Sequence, residues 1–207
     1  MDYSKKIEIK AHDLFTRYGI QNTSLDEIAT ELCIDKVVIL DFFENKDALV
    51  ENFVQSAISQ NKEFCKALTI KSDNAIVELF YMMTYSKSLY ETLNNDIIND
   101  LKKKHKYAYG LLNRHKSGFL YQTIKNILQR GIDENLYRYD FNINIVGKLI
   151  LENVIMISTA DILWMERPIE EMFRFLAAAL VTSAGREILE LHESILFDKP
   201  GTCMVFK

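Results

Sequence analysis

Apolar residues recur at helical spacing from the start of the chain. Ile7, Ala11, Leu14, Phe15 and Tyr18 fall at i, i+4, i+7, i+8 and i+11, one face of a helix. Gly19 follows at once, where a left-handed C-terminal cap would sit. Thr23-Ser24-Leu25-Asp26-Glu27 then offers a capping box, either Ser24 with Glu27 or, one residue earlier, Thr23 with Asp26. Leu25, Ile28, Ala29 and Leu32 form the inner face of this second helix. Cys33-Ile34-Asp35 makes a turn, and Asp35 can cap a third helix that buries Ile39 and Phe43 and, in part, Phe42. Glu44-Asn45-Lys46-Asp47 breaks the pattern before Leu49, Phe53 and Ala57 begin a longer fourth helix. Three short amphipathic segments, a cap before the second and a three-residue break before the third are the pattern of a helix-turn-helix, the unit that lays a helix into the major groove of DNA.

The rest of the chain also reads as helix, with expected elements near 46–69, 72–94, 96–105, 107–135, 142–165, 168–183 and 185–196. Ser72-Asp73 and Asn94-Asn95-Asp96 supply start signals, and Pro168 suits the first turn of a helix. The segment from Asn142 to Trp164 is apolar nearly all round. Ile143, Val146, Ile150, Val154 and Ile157 line one side, and Ile145, Leu149, Met156 and Leu163 another. A helix with two apolar faces must bury both, one in its own domain and one against a partner. The next helix offers Met172, Phe173, Phe175, Leu176 and the small run Ala177-Ala178-Ala179. A homodimer is therefore expected through the helices near 142–165 and 168–183, in an isologous four-helix interface.

Composition narrows the class. Seven glycines, two prolines and 48% apolar residues among 207 suit an all-α protein with few sharp turns. No alternating strand pattern, repeat or Gly/Ser/Pro linker appears, so the fourth helix is expected to join the two domains directly. The longest apolar stretch, Ile143 to Trp164, is interrupted by Lys148, Glu152 and Asp161, so no transmembrane helix and no membrane partner is expected. Cys33, Cys65 and Cys203 lack metal or redox spacing, which fits free thiols in a reducing cytoplasm. Charge is uneven: residues 1–50 hold six bases and ten acids, which equals the whole formal charge of −4. An acidic reading head is poorly equipped for phosphate neutralisation, which supplies most non-specific DNA affinity.

Residues 9–49 resemble the TetR (tetracycline repressor-like) family of bacterial transcription regulators. The family pattern is matched by Ala11, Leu14, Phe15, Gly19, Thr23, Ser24, Ile28, Ala29, Ile39, Phe42, Phe43, Lys46 and Leu49. Asp96 to Lys104 and Gly131 to Arg138 look like ligand-domain segments of family members. The resemblance implies a three-helix DNA-binding domain over residues 1–48 and a helical ligand-binding and dimerisation domain over 49–207. It also implies a repressor that holds a double-stranded operator as a homodimer and is released by a small-molecule effector. The alternative is a ligand-binding dimer of the same fold with weak or lost specific DNA binding. Candidate DNA-contacting residues are Thr23, Ser24, Lys36, Val37, Val38, Leu40, Asp41 and Lys46. Several depart from the family: Cys33 replaces the turn glycine, Val37 and Val38 replace glycine and a small polar residue, and Leu40 replaces an aromatic DNA contact. Asp41 stands where a basic or aromatic residue is common. Lys36 and Lys46 retain phosphate chemistry, Thr23 or Ser24 can add hydroxyl contacts, and Val37, Val38 and Leu40 can meet thymine methyls.

For the effector, the aromatic and methionine side chains suggest Tyr81, Met82, Tyr85, Phe119, Tyr121 and Met156 as an apolar wall. The same stripes would serve core packing. Catalysis is not expected, and neither is a metal or cofactor. His12, His105, His115 and His192 stand apart, and neither a phosphate loop nor a nucleophile elbow is present. Asp96 and Asp100 share a helix face, but a cap and a lysine partner explain them more simply.

Overall fold

The computed structural model of the chain describes residues 3–159 and 167–192. Leu163, Trp164, Met165, Cys203 and the tail at 198–207 lie outside the described residues, as do the ends of the helices expected at 142–165 and 185–196. Eleven α-helices are described, with a single isolated bridge, Tyr137 to Val181, outside them. Among the described residues they fall into two compact units, one of 3–62 with 89–118 and one of 63–88 with 119–159 and 167–192. The expected cut at residue 48 is simpler than this division, because the first unit also takes in the segment 89–118.

In the first unit, α1 (Tyr3–Tyr18), α2 (Leu25–Leu32) and α3 (Lys36–Leu40) pack with the start of α4 (Lys46–Lys71). Ile7, Ala11, Leu14 and Phe15 are buried as their spacing predicts, and Phe15 meets Phe53 edge-on at 5.6 Å. Tyr18, expected on that inner face, is 58% exposed. It sits in the last turn, directly before Gly19 (φ +82), where the chain turns away and leaves the ring in solvent. α6 (Asn95–Lys104) is capped by Asn94, whose Oδ1 accepts from Ile97 N at 3.0 Å, rather than by Asp96. Asp100 does not pair with Lys103 or Lys104. Its carboxylate accepts from Gln21 N at 3.0 Å and Gln21 Nε2 at 2.5 Å.

The helix expected over 107–135 is continuous but changes pitch. α7 (Lys106–Arg114) runs through a π-helical stretch at His115–Leu120 into α8 (Tyr121–Asp133). Such widened turns are rare and occur mostly as single-turn bulges inside α-helices. Here His115 is buried in the first unit with its Nε2 2.9 Å from Asn61 Oδ1, and burial pulls its pKa down to about 4.

In the second unit, α5 spans Ala75–Thr92, starting later than Ser72-Asp73 suggested, because Asn74 is the cap. Its Oδ1 accepts from Ile76 N at 3.1 Å and Val77 N at 3.0 Å. α8 packs on α9 (Ile143–Thr159), and α9 on α10 (Pro168–Leu180). α10 has proline in its first turn as predicted, and α11 (Ser183–Leu191) starts from a Thr182 cap. Along α9, Gly147, Ile150, Leu151 and Val154 are buried, while Ile145, Leu149 and Met156 are each more than half exposed. The two apolar faces read from the sequence are thus separated into one inner and one outer face.

Candidate nucleic-acid interface

The α2–turn–α3 unit is built from its caps. Ser24 Oγ accepts from Glu27 N at 3.1 Å and Glu27 Oε2 accepts from Ser24 N at 2.6 Å, so the capping box takes the Ser24–Glu27 frame. These bonds hold the exposed Glu27 carboxyl below the usual carboxylate range. The turn closes as a Schellman motif: Cys33 N bonds Thr30 O and Ile34 N bonds Ala29 O, both at 3.1 Å. Cys33 therefore adopts φ +52, a left-handed conformation that costs a residue with a Cβ roughly 1 kcal/mol relative to glycine. Cys33→Gly is expected to raise the melting temperature by about 2–4 °C. A lower melting temperature for that variant would mean the thiol contributes packing that its exposed position gives no reason to expect.

Asp35 starts α3, its Oδ1 accepting from Val37 N at 2.8 Å. Ile39 is fully buried and Phe43 nearly so, which anchors the helix by one edge. The opposite edge faces solvent: Val37 is 61% exposed, Leu40 41% and Phe42 46%, with Asp41 exposed beside them. Lys36 and Val38 are half-buried. Of the eight candidate contacts, Lys36, Val37, Val38, Leu40 and Asp41 thus share one short helix and its cap, with Ser24 exposed at the start of α2. Phe42, 46% exposed beside the buried Ile39 and Phe43, is covered in part as expected.

Two candidates are turned inward. Thr23 is 2% exposed, and its hydroxyl donates to Gly19 O at 2.9 Å, so its side chain is spent on the α1–α2 turn. Lys46 Nζ donates to Ile20 O at 2.6 Å. Its partial burial lowers its pKa, with Asp100 opposing. Lys36, the other cation assigned to phosphates, pairs with Asp26 at 2.9 Å. The remaining bases of residues 1–50 are engaged as well. Lys5 pairs with Glu8, Lys10 with Glu31 and Arg17 with Asp13, and Lys6 lies 5.5 Å from the Tyr3 ring centroid. Most of these are exposed pairs, worth little individually and exchangeable for a phosphate. Lys46 is the one whose release would strip a half-buried carbonyl of its partner.

The second unit contains a cavity of about 240 Å³ whose walls include Cys65, Glu78, Phe119, Thr123, Ile127 and Arg130. Burial, helped by the Glu78 charge, pushes the Cys65 thiol up to about 12, so it is a neutral wall group. Of the six expected ligand residues only Phe119 lines this cavity. Met82 is core, with Ser86 Oγ donating to its sulfur at 3.3 Å, and Tyr85 is stacked on Phe64 at 3.6 Å. Tyr81 packs edge-on to Phe80. Tyr121 donates its hydroxyl to Asn144 O at 3.2 Å, and Met156 points to solvent.

Residues 10–53 match the family model for bacterial regulatory proteins, tetR family. No curated protein matches the chain significantly. Solved structures do. A transcriptional regulator from Saccharomonospora viridis in complex with choline superposes with a TM-score of 0.72 at 16% identity, over 87% of this chain and 98% of that one. The regulator FadR from Bacillus subtilis in complex with stearoyl-CoA gives 0.67 at 15% identity, over 87% and 98%. The ketosteroid regulator KstR2 of Mycobacterium tuberculosis gives 0.65 at 13% identity, over 88% and 96%. At such identities these likenesses establish the fold. Residues 10–53 therefore carry the N-terminal motif of the tetR family of bacterial regulatory proteins, on a fold shared with these solved regulators.

Proposed function

We propose that the protein is a cytoplasmic transcriptional repressor that binds a two-fold operator as a homodimer and is released by a small molecule held in its second unit. The observation that carries this reading is the solvent-facing edge of α3, where Val37 and Leu40 stand out from a helix anchored by a fully buried Ile39. Such an edge is what a recognition helix presents to base edges. The cavity beside Phe119 and Arg130 supports the effector, since a ligand that binds one of two states better shifts their balance. The related folds that hold choline and stearoyl-CoA support it too, without fixing the ligand here.

Dimerisation is supported by Ile145, Leu149 and Met156 on α9 and by Phe175 on α10, each more than half exposed. Two reading heads joined there could engage half-sites one turn of DNA apart, ~34 Å. Leu149→Glu places a charge on that face without touching the core. It is expected to convert a dimer of 24.1 kDa chains to monomer in sedimentation and to abolish operator binding in the same preparation. A wild-type protein that sediments at 24.1 kDa at micromolar concentration would end the dimer reading. The second reading, a ligand-binding dimer with weak or lost specific DNA binding, is favoured by the −4 net charge of residues 1–50, six bases against ten acids, and by the engagement of Lys46 Nζ with Ile20 O. It predicts affinity for duplexes no tighter than ~10⁻⁵ M at physiological salt.

A further inference from the structure

The edge of α3 has a chemistry of its own. Val37 and Leu40 are three residues apart and stand on one face, so their side chains are separated by about 4.5 Å along the helix axis. That is comparable to the ~3.4 Å step between base pairs. Neither side chain can hydrogen-bond. The nearest cation, Lys36, is paired with Asp26, and the polar groups that flank the pair are the carboxylates of Asp35 and Asp41. Asp35 is already occupied as the helix cap. Asp41 is exposed at the helix end.

Each base pair shows a distinct pattern in the major groove. Guanine presents two acceptors, N7 and O6, which an arginine or lysine reads and a carboxylate repels. Thymine presents one acceptor and the C5-methyl, the major-groove group that an aliphatic side chain can cover favourably. A helix edge with two aliphatic side chains and a terminal carboxylate therefore favours methyl groups and disfavours a guanine edge, while the carboxylate can accept from a cytosine amino group.

Resting on the operator-binding reading above, we propose that Val37 and Leu40 select the operator by packing on thymine methyls of neighbouring base pairs, with Asp41 excluding guanine at the adjoining position. The specificity comes from apolar contact rather than from bidentate hydrogen bonds. Its affinity consequently depends little on salt, because few counterions are released.

The test uses the full-length protein. A pool of random duplexes is selected at physiological salt, and the enriched duplex is resynthesised with deoxyuridine in place of thymidine. That change removes the methyl and leaves every hydrogen-bonding group in place. Enrichment of half-sites with thymines at neighbouring positions is expected, and each thymidine-to-deoxyuridine change there should weaken binding about four-fold, the effect of exposing one methyl-sized group. Leu40→Ala and Val37→Ala should weaken binding to the thymidine duplex and lose their effect on the deoxyuridine duplex. Both residues are exposed, so neither truncation opens the core. If the enriched duplex is led by guanine, or binds equally well with deoxyuridine, methyl selection is overturned and operator binding stands. If no duplex is enriched, operator binding fails and takes this proposal with it.

Discussion

Arg130→Met is expected to destabilise the second unit by about 2–4 kcal/mol. Arg130 stands at the centre of a network: its Nη1 lies 2.8 Å from Glu78 Oε2, its Nε 2.6 Å from Glu134 Oε1, and its Nη2 donates to Ser72 O at 3.1 Å. Burial works against the guanidinium charge, but the hydrogen bonds to Glu78 and Glu134 outweigh it, and the net effect raises its pKa. The Glu78 side chain is only 2% exposed. Removing one member of a buried ion pair strands the other without water, which typically costs ~3–5 kcal/mol. The 30% exposure of Arg130 lets solvent relieve part of that. The same network ties the start of α5 to α8, since Glu134 Oε2 accepts from Ala75 N at 2.9 Å. Urea unfolding gives the loss directly. Adding Glu78→Leu to Arg130→Met should recover a substantial part of it, because an apolar pair no longer holds an unpaired charge. A loss below about 1 kcal/mol for the single variant, or no recovery in the double, would show that the network contributes little.

Gly185→Ala should be almost as damaging, at about 3 kcal/mol. A Cβ at residue 185 would run into the backbone carbonyl of Leu136, with Val181 Cβ at 3.0 Å on another side. That carbonyl has little freedom to move: it accepts from Thr182 N at 2.9 Å, next to the bridge between Tyr137 and Val181. Alanine's better helix propensity returns at most about 1 kcal/mol. Gly118→Ala is the control, because nothing lies within 4 Å of a Cβ there. The comparison is read from urea midpoints with unchanged slope. Equal stability of Gly185→Ala and wild type would mean the Leu136 carbonyl can yield.

The helical architecture was readable because caps and periodicity agree locally. Ser24 with Glu27, Asp35 and Pro168 each signal a helix start within a few residues of sequence. Asn74 was passed over for Ser72-Asp73, because all three are good caps and the choice rests on which one leaves Ala75 free to meet Glu134, 59 residues away. The outer face of α9 was readable for the same local reason, since Ile145, Leu149 and Met156 share one side of a regular helix.

The sites were less legible because they depend on contacts between distant segments. Lys46 sits at a helix start, where a phosphate contact is the natural guess. Its stem instead carries the ammonium to Ile20 O, an acceptor that only the packing of α1 and α4 brings near. Thr23 and Ser24 are equivalent as cap letters, and the fold decides that one hydroxyl faces inward. The cavity joins Cys65, Glu78 and Arg130 from three helices. Aromatic stripes gave no hint of which rings face it, and Tyr85 and Met82 went to packing instead.

A footprint on the DNA flanking the protein's own gene, run at 50 and 200 mM salt with wild type and Leu40→Glu, tests the recognition edge most directly. The expected result is protection of two half-sites about one turn apart, ~34 Å. That protection should weaken by less than the roughly 10³-fold typical of a protein making six or more phosphate contacts, and it should be absent for Leu40→Glu. Protection that spreads without preference and disappears at the higher salt, or that is unchanged in Leu40→Glu, would contradict a reading role for α3.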